Sequence, residues 1–139
     1  MRSPKEAFAR LRGLTASGEL EEFCAGHGID LLVVFGSVLD EAAVRPPEDL
    51  DLAVLPHDVG ERWGWAGVVA VLGQLLRSDA LDVMDLGRAS PLARAEALTR
   101  CLSLYESRTG LFAEQQMAAI TERMETRWLR SLDLDLLAR

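Results

Sequence analysis

The chain has 139 residues and a formal net charge of −7, with 49% hydrophobic and 27% charged residues. This composition is ordinary for a globular protein, and the length favours one domain over residues 1–139. The negative charge argues against direct binding of nucleic acid, and the two isolated cysteines, Cys24 and Cys101, argue against a disulfide framework or a zinc site. The chain shows neither a signal-peptide pattern nor a long apolar run, so we expect a soluble, cytoplasmic protein that does not enter a membrane.

Hydrophobic periodicity and turn residues predict alternating helices and strands along the chain. Gly13 or Gly18 could divide the first helix into two short ones, and Asp58, with Glu61 three residues later, is expected to cap a later helix. Ser90 is the expected cap of a further short helix. In chain order the predicted elements are a helix over 4–25, strands over 30–35 and 49–55, a helix over 58–76, a strand over 80–86, a helix from 90, a strand over 101–105 and a helix over 110–137.

This order of elements predicts an α+β fold with a small mixed β-sheet and helices packed on one face. The core of the domain is expected over about 30–106, and a C-terminal helical segment over about 110–137. Beyond Trp128 that last helix is richer in leucine than one core-facing side requires. Its end therefore predicts either a surface for a partner or self-association into a homodimer.

The most informative pattern is Gly36-Ser37 after one apolar run, followed by Asp49 and Asp51 at the head of the next. Side chains two apart on a strand share a face, and two carboxylates there repel by about 2 kcal/mol at an effective dielectric constant of 20. A cation would relieve that repulsion, and a Gly-Ser turn lets the backbone approach a phosphate. The pattern predicts a divalent-metal site beside a phosphate loop. Taken singly, each feature is also compatible with an ordinary turn or an exposed strand residue.

This pattern resembles the nucleotidyltransferase superfamily, which includes DNA polymerase β, and within it the minimal nucleotidyltransferase (MNT) family, many of whose members are antitoxins paired with HEPN-domain toxins. The resemblance extends over about 31–106. It includes the run Leu-Asp-Val-Met-Asp-Leu at 81–86, the run Pro-Leu-Ala-Arg-Ala-Glu-Ala-Leu at 91–98 and the run Leu-Tyr-Glu at 104–106.

The resemblance implies that Asp49, Asp51 and Asp82 hold two Mg²⁺ ions, and that Gly36 and Ser37 bind the phosphates of ATP. Asp82 would also act as the base or orient the attacking hydroxyl. Asp85 competes for this third position, but the family pattern places the catalytic carboxylate first, which favours Asp82 and leaves Asp85 exposed at the end of the strand.

The implied activity is transfer of AMP from ATP to a hydroxyl, with a tyrosine of a HEPN ribonuclease toxin as acceptor and this chain as antitoxin. One alternative is an antitoxin of the same fold that neutralises its partner by binding alone. Another is an antibiotic adenylyltransferase. Where relatives carry arginines after Gly-Ser, this chain has Val-Leu-Asp-Glu at 38–41, and Arg45 is a candidate replacement cation. His27 and His57 lack ligand spacing and are interpreted as a helix-end and a loop histidine.

Overall fold

The computed structural model describes residues 1–58 and 64–137. In this part of the chain the elements are α1 (Pro4–Ser17), α2 (Glu19–Gly26), β1 (Ile29–Phe35), a 3₁₀ helix (Ser37–Leu39), β2 (Leu50–Pro56), α3 (Trp65–Leu76), β3 (Leu81–Asp85), α4 (Pro91–Thr99), β4 (Cys101–Glu106) and α5 (Leu111–Leu137). The predicted order of helices and strands is confirmed. None of the helices in the described ranges is long and apolar enough to cross a membrane.

The four strands form one sheet in the order β3-β2-β1-β4. β1 is antiparallel to both β2 and β4, whereas β2 and β3 are parallel and are connected through α3. A parallel pair needs such a crossover because the chain must return to the same end of the sheet. The predicted α+β fold with a mixed sheet and a long C-terminal helix is confirmed.

Helices cover both faces of the sheet, so the expectation that they pack on one face is wrong. Leu32 and Val34 of β1 face a core shared with α1, α2 and α3. Leu31 and Val33, which alternate with them, face a second core shared with α4 and α5. The physical reason is already present in the sequence of β1, which is apolar at successive positions and not at alternating ones; such strands are buried on both faces.

Local capping explains where the helices begin and end. Gly18, at φ +86°, ends α1 in the left-handed region and separates it from α2, which confirms the division into two short helices. Ser90 caps α4 as predicted, its hydroxyl accepting the N–H of Ala93 at 3.2 Å. α3 has Gly64 as its N-cap and begins at Trp65, so Asp58 does not cap it. Glu61, the expected partner of Asp58, lies outside the described residues.

Candidate active site

Two of the predicted carboxylates lie side by side on neighbouring strands. Asp51 of β2 is in register with Asp82 of β3 in the parallel pair, and with Phe35 of β1 on its other side. Residues in register on adjacent strands direct their side chains to the same face. Asp51 alternates with Leu52, so this is the face that α4 and α5 cover. The structure therefore brings together two of the three residues expected to hold metal.

Asp49 lies just outside the strand in which it was expected. β2 begins at Leu50, and Asp49 is an exposed residue of the bend before it. The N–H of Leu50 donates to the carbonyl of Ala80 at 2.8 Å, which fixes the entry of β2 beside β3. Asp49 still lines the same cleft as Asp51. Asp49 therefore lies in the bend directly before β2 and not in the strand, but it remains part of the candidate site.

Gly36 is fitted closely to the carboxylate of Asp51. Its φ is +83°, a conformation that residues with side chains rarely adopt. A Cβ built on Gly36 would overlap Oδ2 of Asp51 and lie 3.3 Å from its Cβ. The residue after β1 must therefore be glycine for two separate reasons, backbone conformation and space. This contact joins the Gly-Ser turn to the carboxylates.

Ser37 lies where two open clefts meet. One cleft, of about 420 Å³, runs from Ser37 past Arg45 to Asp49 and Asp51. The other, of about 730 Å³, lies between the turn after β1 and the end of α4; its lining is Phe35, Gly36, Ser37, Leu39, Asp40, Glu96 and Arg100. A ligand that contacts Ser37 could thus extend both toward the carboxylates and toward α4.

The pKa of Asp51 is raised above its ordinary value of 3.8, first by partial burial and then by the negative charges of Asp82 and Asp49. Each of these causes disfavours the ionised form. The electrostatic influence of Asp82 and Asp49 on Asp51 also indicates that the three carboxylates form one negatively charged patch.

This shift in pKa predicts how stability depends on pH. Because the folded-state pKa of Asp51 is the higher one, its contribution to stability is fully present below pH 3.8 and is lost as the pH rises through the folded-state value. We expect Asp51→Asn to exceed the wild type in free energy of unfolding at neutral pH, with the difference vanishing in acid. Urea unfolding of both proteins across this pH range measures the effect, and a difference that does not change with pH would contradict it.

The carboxylates do not form a closed metal centre in the described part of the chain, where no three His, Cys, Asp or Glu side chains are grouped tightly enough to hold an ion. The donor set nevertheless fits Mg²⁺, which prefers carboxylate oxygens and keeps water or phosphate oxygens in its other positions. Asp51 and Asp82 share a face, and a cation there would offset both the partial burial and the repulsion from Asp82 and Asp49 that raise the pKa of Asp51.

Asp85 has a structural role in the turn after β3. It is the last residue of β3, as predicted, but its side chain is only 15% exposed, so the expectation of an exposed residue is wrong. Its carboxylate accepts the N–H of Gly87 at 2.8 Å and lies 3.8 Å from the guanidinium of Arg88. These contacts leave Asp82 as the β3 carboxylate that faces Asp51.

The structure also shows where the charged residues near the Gly36-Ser37 turn lie. Arg45 lines the cleft that holds Asp49 and Asp51, whereas Asp40 lies in the other cleft, its carboxylate accepting the N–H of Ala42 at 3.0 Å. Sequence reasoning missed Arg100, which follows α4 and enters the cleft beside Ser37. The only available signal was its position directly before β4.

The two histidines have structural roles, as interpreted from the sequence. His27 is the C-cap of α2; its ring stacks on Phe23 with the centroids 4.2 Å apart, and its Nδ1 lies 2.8 Å from the Phe23 carbonyl oxygen. His57 follows β2 and its Nδ1 lies 3.1 Å from the carboxylate of Asp30.

No protein-family model and no curated protein matches this sequence. Solved structures do share its fold. A chain in the crystal structure of a toxin–antitoxin complex with AMP-PNP superposes with a TM-score of 0.66 at 19% identity, covering 88% of this chain and 98% of that chain. A chain in the structure of a tri-AMPylated Shewanella oneidensis HEPN toxin with its MNT antitoxin gives 0.63 at 18%, covering 88% and 95%. A chain in the MntA–HepT toxin–antitoxin structure gives 0.63 at 18%, covering 88% and 96%. The fold is thus one found in MNT–HEPN toxin–antitoxin structures.

Proposed function

We propose that this chain is a Mg²⁺-dependent nucleotidyltransferase that moves AMP from ATP to a tyrosine hydroxyl of a HEPN-type ribonuclease toxin, and that it acts as the antitoxin of that pair. The observation that carries the proposal is the pairing of Asp51 with Asp82 directly beside the Gly36-Ser37 turn. The fold supports it, since the similar structures include one with AMP-PNP and one with a tri-AMPylated toxin.

In this proposal Ser37 and the backbone at Gly36 bind phosphate oxygens of ATP, and Asp49, Asp51 and Asp82 hold Mg²⁺. When bound by these carboxylates, Mg²⁺ would supply positive charge to the triphosphate and would lower the pKa of the attacking hydroxyl. Asp82, exposed at the edge of the sheet, takes the proton of that hydroxyl. The tyrosine oxygen then bonds to the α-phosphorus while the bond from that phosphorus to the bridging oxygen breaks. Pyrophosphate leaves with the electron pair.

The direct test combines the chain with Mg²⁺, α-labelled ATP and the HEPN-type protein encoded beside it. We expect label on the toxin with the wild type and none with the double variant Asp49→Ala, Asp51→Ala. A parallel reaction with γ-labelled ATP should leave the toxin unlabelled, because the β- and γ-phosphates depart as pyrophosphate. Label on an added aminoglycoside, with none on the toxin, would contradict the proposed acceptor.

A second candidate is an antitoxin that binds its toxin without catalysis. The observation that favours it is Asp40, whose carboxylate is held in the cleft beside Ser37, where it would repel a triphosphate. This candidate predicts that toxin and antitoxin co-purify and that the toxin is inhibited, but that no label is transferred at any Mg²⁺ concentration.

Arg45 is expected to supply the cation that a triphosphate needs. It lines the cleft with Ser37, Asp49 and Asp51 and forms no ion pair or hydrogen bond with the rest of the described chain. A hydrogen bond to a charged group contributes about 1.5–3 kcal/mol, so Arg45→Ala should weaken ATP binding by roughly tenfold or more. Calorimetric titration with Mg²⁺-ATP measures this change.

Two further variants are controls for the loss of ATP affinity that is expected in Arg45→Ala. Arg45→Lys retains a charge but not the planar fork, so it should bind ATP with an affinity between those of the wild type and Arg45→Ala. Lys5→Ala removes an exposed cation from α1 and should leave ATP affinity unchanged. If Arg45→Ala binds ATP as tightly as Lys5→Ala does, Arg45 is not a phosphate ligand.

A further inference from the structure

The second half of α5 is unlike the rest of the fold. From Arg123 to Leu137 the helix continues for about four turns, and every residue after Arg123 is exposed. This segment, here called the free end of α5, carries large apolar side chains in water; Trp128 alone is 64% exposed. The others are Met124, Leu129, Leu132, Leu134, Leu136 and Leu137. Single exposed leucines need no explanation, but a concentration of them on one helix indicates an interaction surface.

The apolar stripe of the free end points away from the domain. At 100° per residue, Met124, Trp128, Leu132 and Leu136 lie within about 120° of arc, and Met117 extends the stripe toward the domain. Ala119, which is buried against the sheet and α4, is nine residues before Trp128 and therefore about half a turn of the helix away from it. The stripe is thus not a continuation of the core-facing side. It is a separate apolar face.

The opposite side of the free end carries three arginines. Arg123, Arg127 and Arg130 follow one another at helical spacing and line a groove of about 230 Å³ with Pro91, Leu92 and Thr126. None of the three forms an ion pair or a hydrogen bond among residues 1–58 and 64–137. Like charges at this spacing destabilise an isolated helix. A cluster of unpaired cations in a chain of net charge −7 is a site for an acidic group.

We propose that the free end of α5 is the docking surface for a partner protein that is apolar where it covers the Trp128 stripe and acidic where it reaches the arginine groove. The partner is the toxin of the proposed function, on which this inference rests. A nucleic acid would pair with the arginines but leave the apolar stripe in water. A second copy of this chain fits poorly, because Glu125 and Asp135 interrupt the stripe. Pairing stripe to stripe would place the carboxylates of both copies in one interface without an arginine on that side, whereas a different protein can present polar groups opposite Glu125 and Asp135.

The test measures toxin binding without nucleotide by calorimetric titration, so that docking is separated from catalysis. A stripe variant, Trp128→Ser with Leu132→Ser, should weaken binding about thirtyfold or more, since aromatic anchors dominate such interfaces. The matched control is Val44→Ser, an apolar side chain that is 99% exposed and lies outside the free end of α5, and it should bind within about threefold of the wild type. A groove variant, Arg123→Glu with Arg127→Glu and Arg130→Glu, should weaken binding and also flatten its salt dependence.

Several outcomes would overturn the docking proposal. One is that stripe and groove variants, with helix content confirmed by circular dichroism, bind the toxin as tightly as the wild type. Another is that the stripe variant abolishes a homodimer of the wild type while toxin binding is unchanged. A third is that the groove variant loses affinity for a tRNA and not for the toxin. If the wild type binds the toxin but transfers no AMP, the proposed catalysis is wrong and the docking proposal stands.

Discussion

Asp51→Asn is expected to reduce AMP transfer by roughly 10²–10³-fold while making the folded chain more stable. In the proposed mechanism the carboxylate of Asp51 is a ligand of Mg²⁺, and an amide cannot supply that negative charge. The same change removes a half-buried charge that Asp82 and Asp49 both repel. Initial rates of toxin labelling and thermal unfolding, measured on the same preparation, give the two effects.

The response to Mg²⁺ is the control for these opposite effects of Asp51→Asn on activity and stability. Saturating Mg²⁺ should raise the melting temperature of the wild type more than that of Asp51→Asn, because a ligand stabilises only the state that binds it. Asp85→Asn, at a carboxylate that serves the turn after β3, should retain transfer activity. Full activity in Asp51→Asn, or equal stabilisation of both proteins by Mg²⁺, would show that Asp51 is not a metal ligand.

Gly36→Ala is expected to lower both the stability of the fold and the affinity for ATP. At φ +83° and ψ −160° Gly36 lies in a backbone region that is essentially restricted to glycine, and an alanine there costs about 1–3 kcal/mol. The new Cβ would also overlap the carboxylate of Asp51, so either β1 or Asp51 must shift. We expect a total loss of about 2–4 kcal/mol in the free energy of unfolding, together with at least about tenfold weaker ATP binding. Urea unfolding and calorimetric titration measure both.

Gly110→Ala is the matched control for this prediction. Gly110 has φ +94°, but its added Cβ would meet nothing within 4 Å, so the substitution carries the backbone cost alone. A larger loss of stability is therefore expected in Gly36→Ala, where the overlap with Asp51 adds to the backbone cost. Adding Asp51→Ala to Gly36→Ala should recover part of the lost stability. If the two glycine variants lose equal stability and bind ATP equally, the close fit at Gly36 has no consequence.

The sequence was sufficient to predict the elements, because those depend on local patterns, and the residues that it singled out as Ser37, Asp49 and Asp51 line one cleft. Turn glycines, caps and apolar runs located both ends of each of the four strands to within one residue. It was not sufficient to show that Asp51 and Asp82 are neighbours, since that depends on the parallel register of β2 and β3. Periodicity defines which residues share a face of one strand and says nothing about which strand lies beside it.

The errors in the sequence-based predictions have similar physical causes. The uninterrupted apolar run of β1 is typical of a strand buried on both faces, but it does not show which elements form the second layer, because α4 and α5 lie far from β1 in the sequence. Asp58 was a plausible helix cap by residue type, yet Gly64 precedes the helix that forms. Arg100 could not be recognised because its place beside Ser37 depends on how α4 returns the chain to the sheet. Contacts between elements distant in sequence were the common missing information.

The carboxylates of β3 have a second role because β3 lies at the edge of the sheet. Among residues 1–58 and 64–137, β3 pairs only with β2, so its outer backbone groups could template the strand of another molecule. Charges on an edge strand oppose such pairing, and Asp82 and Asp85 supply them. Replacing Asp82 by an apolar residue would therefore also weaken the protection of this edge strand against aggregation. A variant of that kind must be shown to be monodisperse before lost activity is ascribed to chemistry.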